Sequence, residues 1–253
     1  MNNSNSSRRD FLKASMLAGL GASLANVSGG CATNRPTVAI ATNLGLLSSD
    51  YSSTRPRPAG QKPVHDLTTQ PLEKVRVAVI GLHRGMAHVN NCLGIEFAEV
   101  TAVCDIVDDR AKAAADACEK KSGKRPAVYS GNENIWEQLV ARDDIDAVYI
   151  ATPWVWHVPM ALRTMEHGKH AFIEVPAAIT VDDCWRLVDA SERLQKHCVI
   201  LENCCYGENE LFILNLARQG VFGQLTHAEC GYLHDLRSLL FTFDNEGDWR
   251  RNY

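Results

Sequence analysis

Val75-Arg76-Val77-Ala78-Val79-Ile80-Gly81-Leu82-His83-Arg84-Gly85 is the stretch from which the fold is read. Its first six residues are β-branched and apolar apart from one arginine, the pattern of a strand buried in a parallel sheet. Gly81 ends the run, and His88 to Leu93 reads as the following helix. In such a strand-turn-helix, a dinucleotide pyrophosphate rests on backbone amides at the helix N-terminus. The turn lacks the full G-x-G-x-x-G pattern, so taken alone it would equally suit a plain strand-turn-helix. Two neighbours sharpen it. Arg84 can pair with a phosphate directly, and Asp105 ends the next strand, 24 residues after Gly81. An acid there accepts hydrogen bonds from the adenosine ribose hydroxyls and repels a 2′-phosphate, favouring NAD over NADP.

Outward from this stretch, strands and helices alternate. Val100 to Cys104 is a strand and Asp109 to Lys121 an alanine-rich helix. Ile145 to Ile150 is a strand, with a helix from Pro159 to His167 ended by Gly168. His170 to Val175 is a strand, Thr180 caps a helix running to Leu194, and Cys198 to Glu202 is a last strand. This alternation predicts an α/β Rossmann fold, a doubly wound parallel sheet with right-handed crossovers, over residues 75–206. After it the pattern changes. Leu211 to Arg218 is a helix, and Gln224 to Leu233 reads as the first long strand of a different sheet. Residues 207–253 are therefore expected to be the start of a second, incomplete α/β open-sheet domain.

The N-terminal side has a different character. Ser7-Arg8-Arg9-Asp10-Phe11-Leu12-Lys13 precedes a small-residue apolar run from Ala14 to Val27. That run is shorter than the roughly 20 residues a spanning helix needs, and the whole resembles a bacterial twin-arginine export signal over residues 1–31; a frayed helix is the plainer alternative. The expected location is the periplasm or cell surface, with no transmembrane segment. Cys31 is a candidate lipid anchor, although the bulky residue usual three places before such a cysteine is missing. Residues 32–74, rich in Ser, Thr, Pro and Gly, read as a linker or a strap lying over the domain.

Composition sets limits. A net charge of −4, with 22% charged residues and no basic block, argues against a nucleic-acid surface. Of the nine cysteines, Cys92, Cys104, Cys118, Cys184, Cys198 and Cys230 are scattered through apolar stretches, as small buried hydrophobes are. Adjacent Cys204 and Cys205 read as packing. No cysteine or histidine spacing suits a metal, so none is expected.

Ala151-Thr152-Pro153-Trp154-Val155-Trp156-His157 follows one strand and Glu174-Val175-Pro176 another. On these motifs the chain resembles the Gfo/Idh/MocA oxidoreductase superfamily, whose usual third motif is Glu-Lys-Pro. Val175 stands in place of the lysine, and a valine can neither shuttle nor polarise a proton. Together with Leu201-Glu202-Asn203-Cys204-Cys205-Tyr206 and Tyr232-Leu233-His234-Asp235-Leu236-Arg237, the motifs resemble glycoside hydrolase family 109, the NAD-dependent α-N-acetylgalactosaminidases. The resemblance implies that His83, Arg84, Asp105, Trp154, Val155, Trp156, His157, Glu174, Val175 and Asn203 touch NAD, and that Tyr232 and Arg250 touch the sugar. Read without it, the tryptophans are core fillers, His157 a satisfied helix-cap histidine and Asn203 a loop cap.

The implied reaction is a glycosidase cycle of oxidation, elimination, water addition and reduction, an exception to the paired-carboxylate rule. The implied partner is a glycan ending in α-N-acetylgalactosamine, and a homo-oligomer is left open. No catalytic base is named, because further residues of that kind lie past Tyr253 in the family, so the chain is expected to be a fragment or truncated. An exported NAD-dependent sugar dehydrogenase and a catalytically silent NAD-binding fragment are the alternatives.

Overall fold

The computed structural model describes residues 56–231, 233–235 and 237. The twin-arginine segment, Cys31, Tyr232 and Arg250 lie outside them. Six strands form one sheet: β1 (Val75–Ile80), β2 (Ala98–Asp105), β3 (Ala127–Ser130), β4 (Ala147–Ile150), β5 (His170–Ile173) and β6 (Cys198–Ile200). All neighbouring pairs are parallel, in the order β3-β2-β1-β4-β5-β6. The expected doubly wound sheet is therefore present. Its order reverses between β1 and β4, and a crevice outside the carboxyl ends of the strands at such a switch point is where ligands bind.

Side chains alternate across β1, and this builds two cores. Val77 and Val79 pack with Val89 and Cys92 of α1 (Met86–Cys92) and with Ala111, Ala114, Ala115 and Cys118 of α2 (Asp108–Ser122). Ala78 and Ile80 face the other way. There they join Trp136, Leu139 and Val140 of α3 (Trp136–Val140), Val158, Met160, Ala161 and Met165 of α4 (Trp154–Glu166), and Leu187 and Ala190 of α5 (Val181–Leu194). The small alanine face of α2 lets that helix lie close to the sheet. The Thr180 hydroxyl accepts from the Asp183 amide and caps α5 as expected, and it donates to the Asp183 carboxylate.

Several elements differ from the reading of the sequence. β3 and α3 carry no pattern of their own, being four and five residues long. Helix α4 starts at Trp154, not at Pro159, which lies inside it. A proline at this sixth helical position has no amide to bond to the Val155 carbonyl and so forfeits one intrahelical hydrogen bond. Residues 224–231 hold no strand; a strand needs a hydrogen-bonding partner, and none lies beside this segment among the described residues. Helix α6 (Glu208–Arg218) buries no residue, and Leu211, Phe212, Ile213 and Leu214 are exposed. Cys204 and Cys205 are exposed as well, so they are not packing residues here, and neither are Cys184 and Cys230; Cys92, Cys104 and Cys118 are buried as expected.

The described end of the 32–74 segment contacts α5. Pro56-Arg57-Pro58 runs along Trp185, Val188, Asp189 and Glu192 of α5. Arg57 donates to both Glu192 oxygens, at 2.7 and 3.0 Å, and the Gln195 amide reaches the Lys62 carbonyl at 2.9 Å. No helix among the described residues is long and apolar enough to cross a membrane.

Candidate functional site

The turn after β1 is forced by two glycines. Gly81 has φ +85°, and a Cβ there would lie 2.5 Å from the Ala151 carbonyl oxygen at the end of β4. A Cβ on Gly85 would lie 2.2 Å from the Gly81 oxygen and 2.9 Å from Val79 Cγ1. Only glycine permits both the left-handed backbone and these approaches. The turn is thus drawn down between β1 and β4, with His83 and Arg84 exposed at its tip and helix α1 leading away, an orientation that suits an anion.

Asp105 is already engaged within the protein. It is 6% exposed, its Oδ2 accepts from the Leu82 amide at 2.6 Å, and its Oδ1 accepts from the Val107 amide at 2.8 Å. The carboxylate clamps the glycine turn to the end of β2. Since a carboxylate offers about four lone-pair sites, about two are not used by these bonds.

The second wall comes from the ends of β4 and β5. Trp154 is half-buried and Val155 exposed, whereas Trp156 packs edge-on against Trp136, with ring centroids 6.3 Å apart, at the rim of the core. That packing is partly buried and belongs to the edge of the core. His157 is 1% exposed; its Nδ1 lies 2.7 Å from the Pro176 oxygen and its Nε2 2.8 Å from the Thr152 oxygen. Burial pushes its pKa down, against the pull of the two carbonyls and of Glu174. The ring is enclosed by protein, and through its two nitrogens His157 ties the two turns together.

Glu174, just past β5, is 7% exposed. Its Oε1 accepts from Arg84 Nε at 3.2 Å and from His88 Nε2 at 2.8 Å, and its Oε2 accepts from the Val175 amide at 3.3 Å. Val175 is half-buried beside it and Asn203 is exposed after β6. His88 was not singled out from the sequence; the available signal is its place four residues after Arg84, at the start of α1. It lies 5.1 Å from Tyr149, which itself stacks on Phe172 at 5.0 Å. Burial pushes the Tyr149 phenol up to about 12, so it stays neutral.

The carboxyl edge therefore gathers His83, Arg84, Asp105, Trp154, Val155, Glu174, Val175 and Asn203, and keeps Trp156 and His157 behind it. An extended, anionic dinucleotide fits this edge: the glycine turn sits at the switch point, a guanidinium at its tip and an acid at the end of β2.

The comparisons with known proteins bear on this edge. Residues 75–202 match the family model described as "Oxidoreductase family, NAD-binding Rossmann fold", and residues 206–250 match "Glycosyl hydrolase 109, C-terminal domain". A "Glycosyl hydrolase family 109 protein" of Shewanella baltica is 43% identical over 96% of this chain and 50% of its own length. An "Alpha-N-acetylgalactosaminidase" of Shewanella oneidensis is 41% identical over the same shares. The chain thus spans about half the length of the curated relatives it matches. Among solved structures, a putative myo-inositol dehydrogenase from Sinorhizobium meliloti superposes with TM-score 0.52 at 23% identity, covering 59% of this chain and 43% of that one, a likeness of fold.

Proposed function

Because the chain belongs to the Gfo/Idh/MocA oxidoreductase family and carries its NAD-binding Rossmann fold, we propose that it serves a glycosidase that uses NAD without consuming it, acting on terminal α-N-acetylgalactosamine. The observation that carries this reading is Val175 in the turn after β5, beside Glu174 and at the crevice edge. A proton-transferring lysine in that motif suits a dehydrogenase; an apolar side chain does not. The match of residues 206–250 to a glycosyl hydrolase 109 domain and the names of the relatives support the same choice.

NAD bound at this edge supplies reversible hydride acceptance, which lets a sugar be oxidised, eliminated, hydrated and reduced with no net redox change. The chain's own residues do the holding. Arg84 and the glycine turn take the pyrophosphate, and Asp105 offers its remaining lone pairs to the adenosine ribose. Trp154, Val155, Glu174, Val175 and Asn203 enclose the nicotinamide end, and Tyr232 and Arg250 contact the sugar. Val175 keeps water and protons away from that end. His157 acts from behind by fixing both turns. A cycle that returns its cofactor unchanged also suits export by the twin-arginine route, with Cys31 as a lipid anchor, to a compartment without a nicotinamide pool.

The test is an assay with p-nitrophenyl α-N-acetylgalactosaminide, following nitrophenol and NADH together. It is run on this polypeptide and on the longest product of its gene, wild type and Val175→Lys. The expected result is nitrophenol release without net NADH, and turnover roughly tenfold or more lower in the lysine variant, whose ammonium opposes the positive nicotinamide ring. NADH accumulating from free N-acetylgalactosamine would establish a dehydrogenase instead. Neither product from the longest gene product would leave a silent binder.

A further inference from the structure

We propose that His88 is a positioning residue that holds the Glu174 carboxylate at the nicotinamide end of the site while Arg84 leaves it for the pyrophosphate. The proposal rests on the reading that a dinucleotide occupies this crevice, and goes beyond it by assigning a role to a residue outside the family motifs.

The geometry gives Glu174 two side-chain partners of unlike character on one oxygen. Arg84 meets Oε1 with a long 3.2 Å contact, and its side chain is 57% exposed. His88 meets the same oxygen at 2.8 Å with a side chain only 14% exposed. An ionised carboxylate can only accept, so His88 Nε2 carries the hydrogen. Its ring is also held from the side, against Tyr149 of β4, whose own ring stacks on Phe172 of β5. The hydrogen bond and the stacked rings run in parallel from α1 to β5, across β4.

These differences decide which partner leaves. A long, solvent-exposed contact from a flexible arginine contributes little and exchanges readily for a phosphate, which offers paired oxygens to the guanidinium fork. A shorter bond from a ring already fixed by packing costs little further ordering and persists. When the pyrophosphate draws Arg84 away, Glu174 would be left with one long backbone bond, from Val175, among the described residues. His88 prevents that. It keeps the carboxylate in one orientation at the moment the nicotinamide end is occupied.

Two variants separate the hydrogen bond from packing. His88→Phe keeps a ring against Tyr149 and removes the donor; His88→Gln keeps a donor and removes the ring. Binding of NAD and of ADP-ribose, which lacks the nicotinamide, is measured by calorimetry, with thermal unfolding of each variant as a control for folding. The expected result is that His88→Phe weakens NAD about tenfold, leaves ADP-ribose within about twofold, and that His88→Gln restores most of the NAD affinity. An unchanged NAD to ADP-ribose ratio in His88→Phe overturns the positioning role. Equal losses for both ligands in both variants also overturn it, since they indicate packing of α1 alone. If the wild type binds neither ligand, the cofactor reading itself fails and this role with it; binding of ADP-ribose by all three proteins keeps the two failures apart.

Discussion

At Asp105 one side chain does two things that a sequence motif presents as one. Its oxygens already hold the amides of Leu82 and Val107, so any ribose is met by a carboxylate whose place is fixed beforehand. Such preorganisation lowers the cost of binding. Asp105→Ala should therefore weaken NAD by about 1–3 kcal/mol, the range for hydrogen bonds to a charged acceptor, and narrow the preference over NADP. Titration calorimetry with both cofactors checks this, and an unchanged NAD affinity would show that the acid serves the turn alone. The glycines of that turn were legible because a tight turn after a buried strand calls for them, although the close approach of Gly81 to the Ala151 carbonyl was not. The amides that meet Asp105 were not, since Leu82 lies 23 residues away and only the folded sheet brings it near. The carbonyl partners of His157 were hidden for a similar reason: they belong to two different turns.

Among elements, the strands that flank the switch point are pinned by side chains at the end away from the site. Asp146, just before β4, accepts from the Arg76 amide at 2.7 Å and from its guanidinium at 3.0 and 2.7 Å. The hydrogen bonds from Arg76, and its charge, hold the Asp146 carboxyl below the usual carboxylate range despite partial burial. A depressed folded-state pKa gives stability that is present above the unfolded value near 4 and is lost as pH falls through the folded value. Asp146→Asn should thus cost about 1–3 kcal/mol at pH 7, and the difference from wild type should shrink progressively below about pH 4. Urea melts across that range measure it; a gap independent of pH would assign the loss to packing. Element types were otherwise readable wherever the run was long: β1, β2, α2 and α5 stand close to where periodicity puts them. The start of α4 was obscured by Pro159, and the segment after α6 by its lack of any neighbour to pair with among the described residues.

Over the whole molecule, a site assembled from the ends of β1, β2, β4 and β5 exists only when the sheet is intact, so NAD should stabilise the fold by mass action. At a hundredfold excess over Kd the gain is about 2.7 kcal/mol, roughly 5–10 °C in Tm for a domain of this size. Thermal scans with NAD added in steps check this, and a melting temperature indifferent to saturating NAD would argue against the site. The strap adds a matter of timing. Arg57 grips Glu192, 135 residues further along the chain, on the last helix before β6. A ribosome releases the strap well before that helix exists, so its anchorage waits until nearly all of the sheet has been synthesised. Docking of the strap is then a sign of completion: the Arg57–Glu192 pair can form on a finished sheet and cannot form on a nascent chain that lacks that helix.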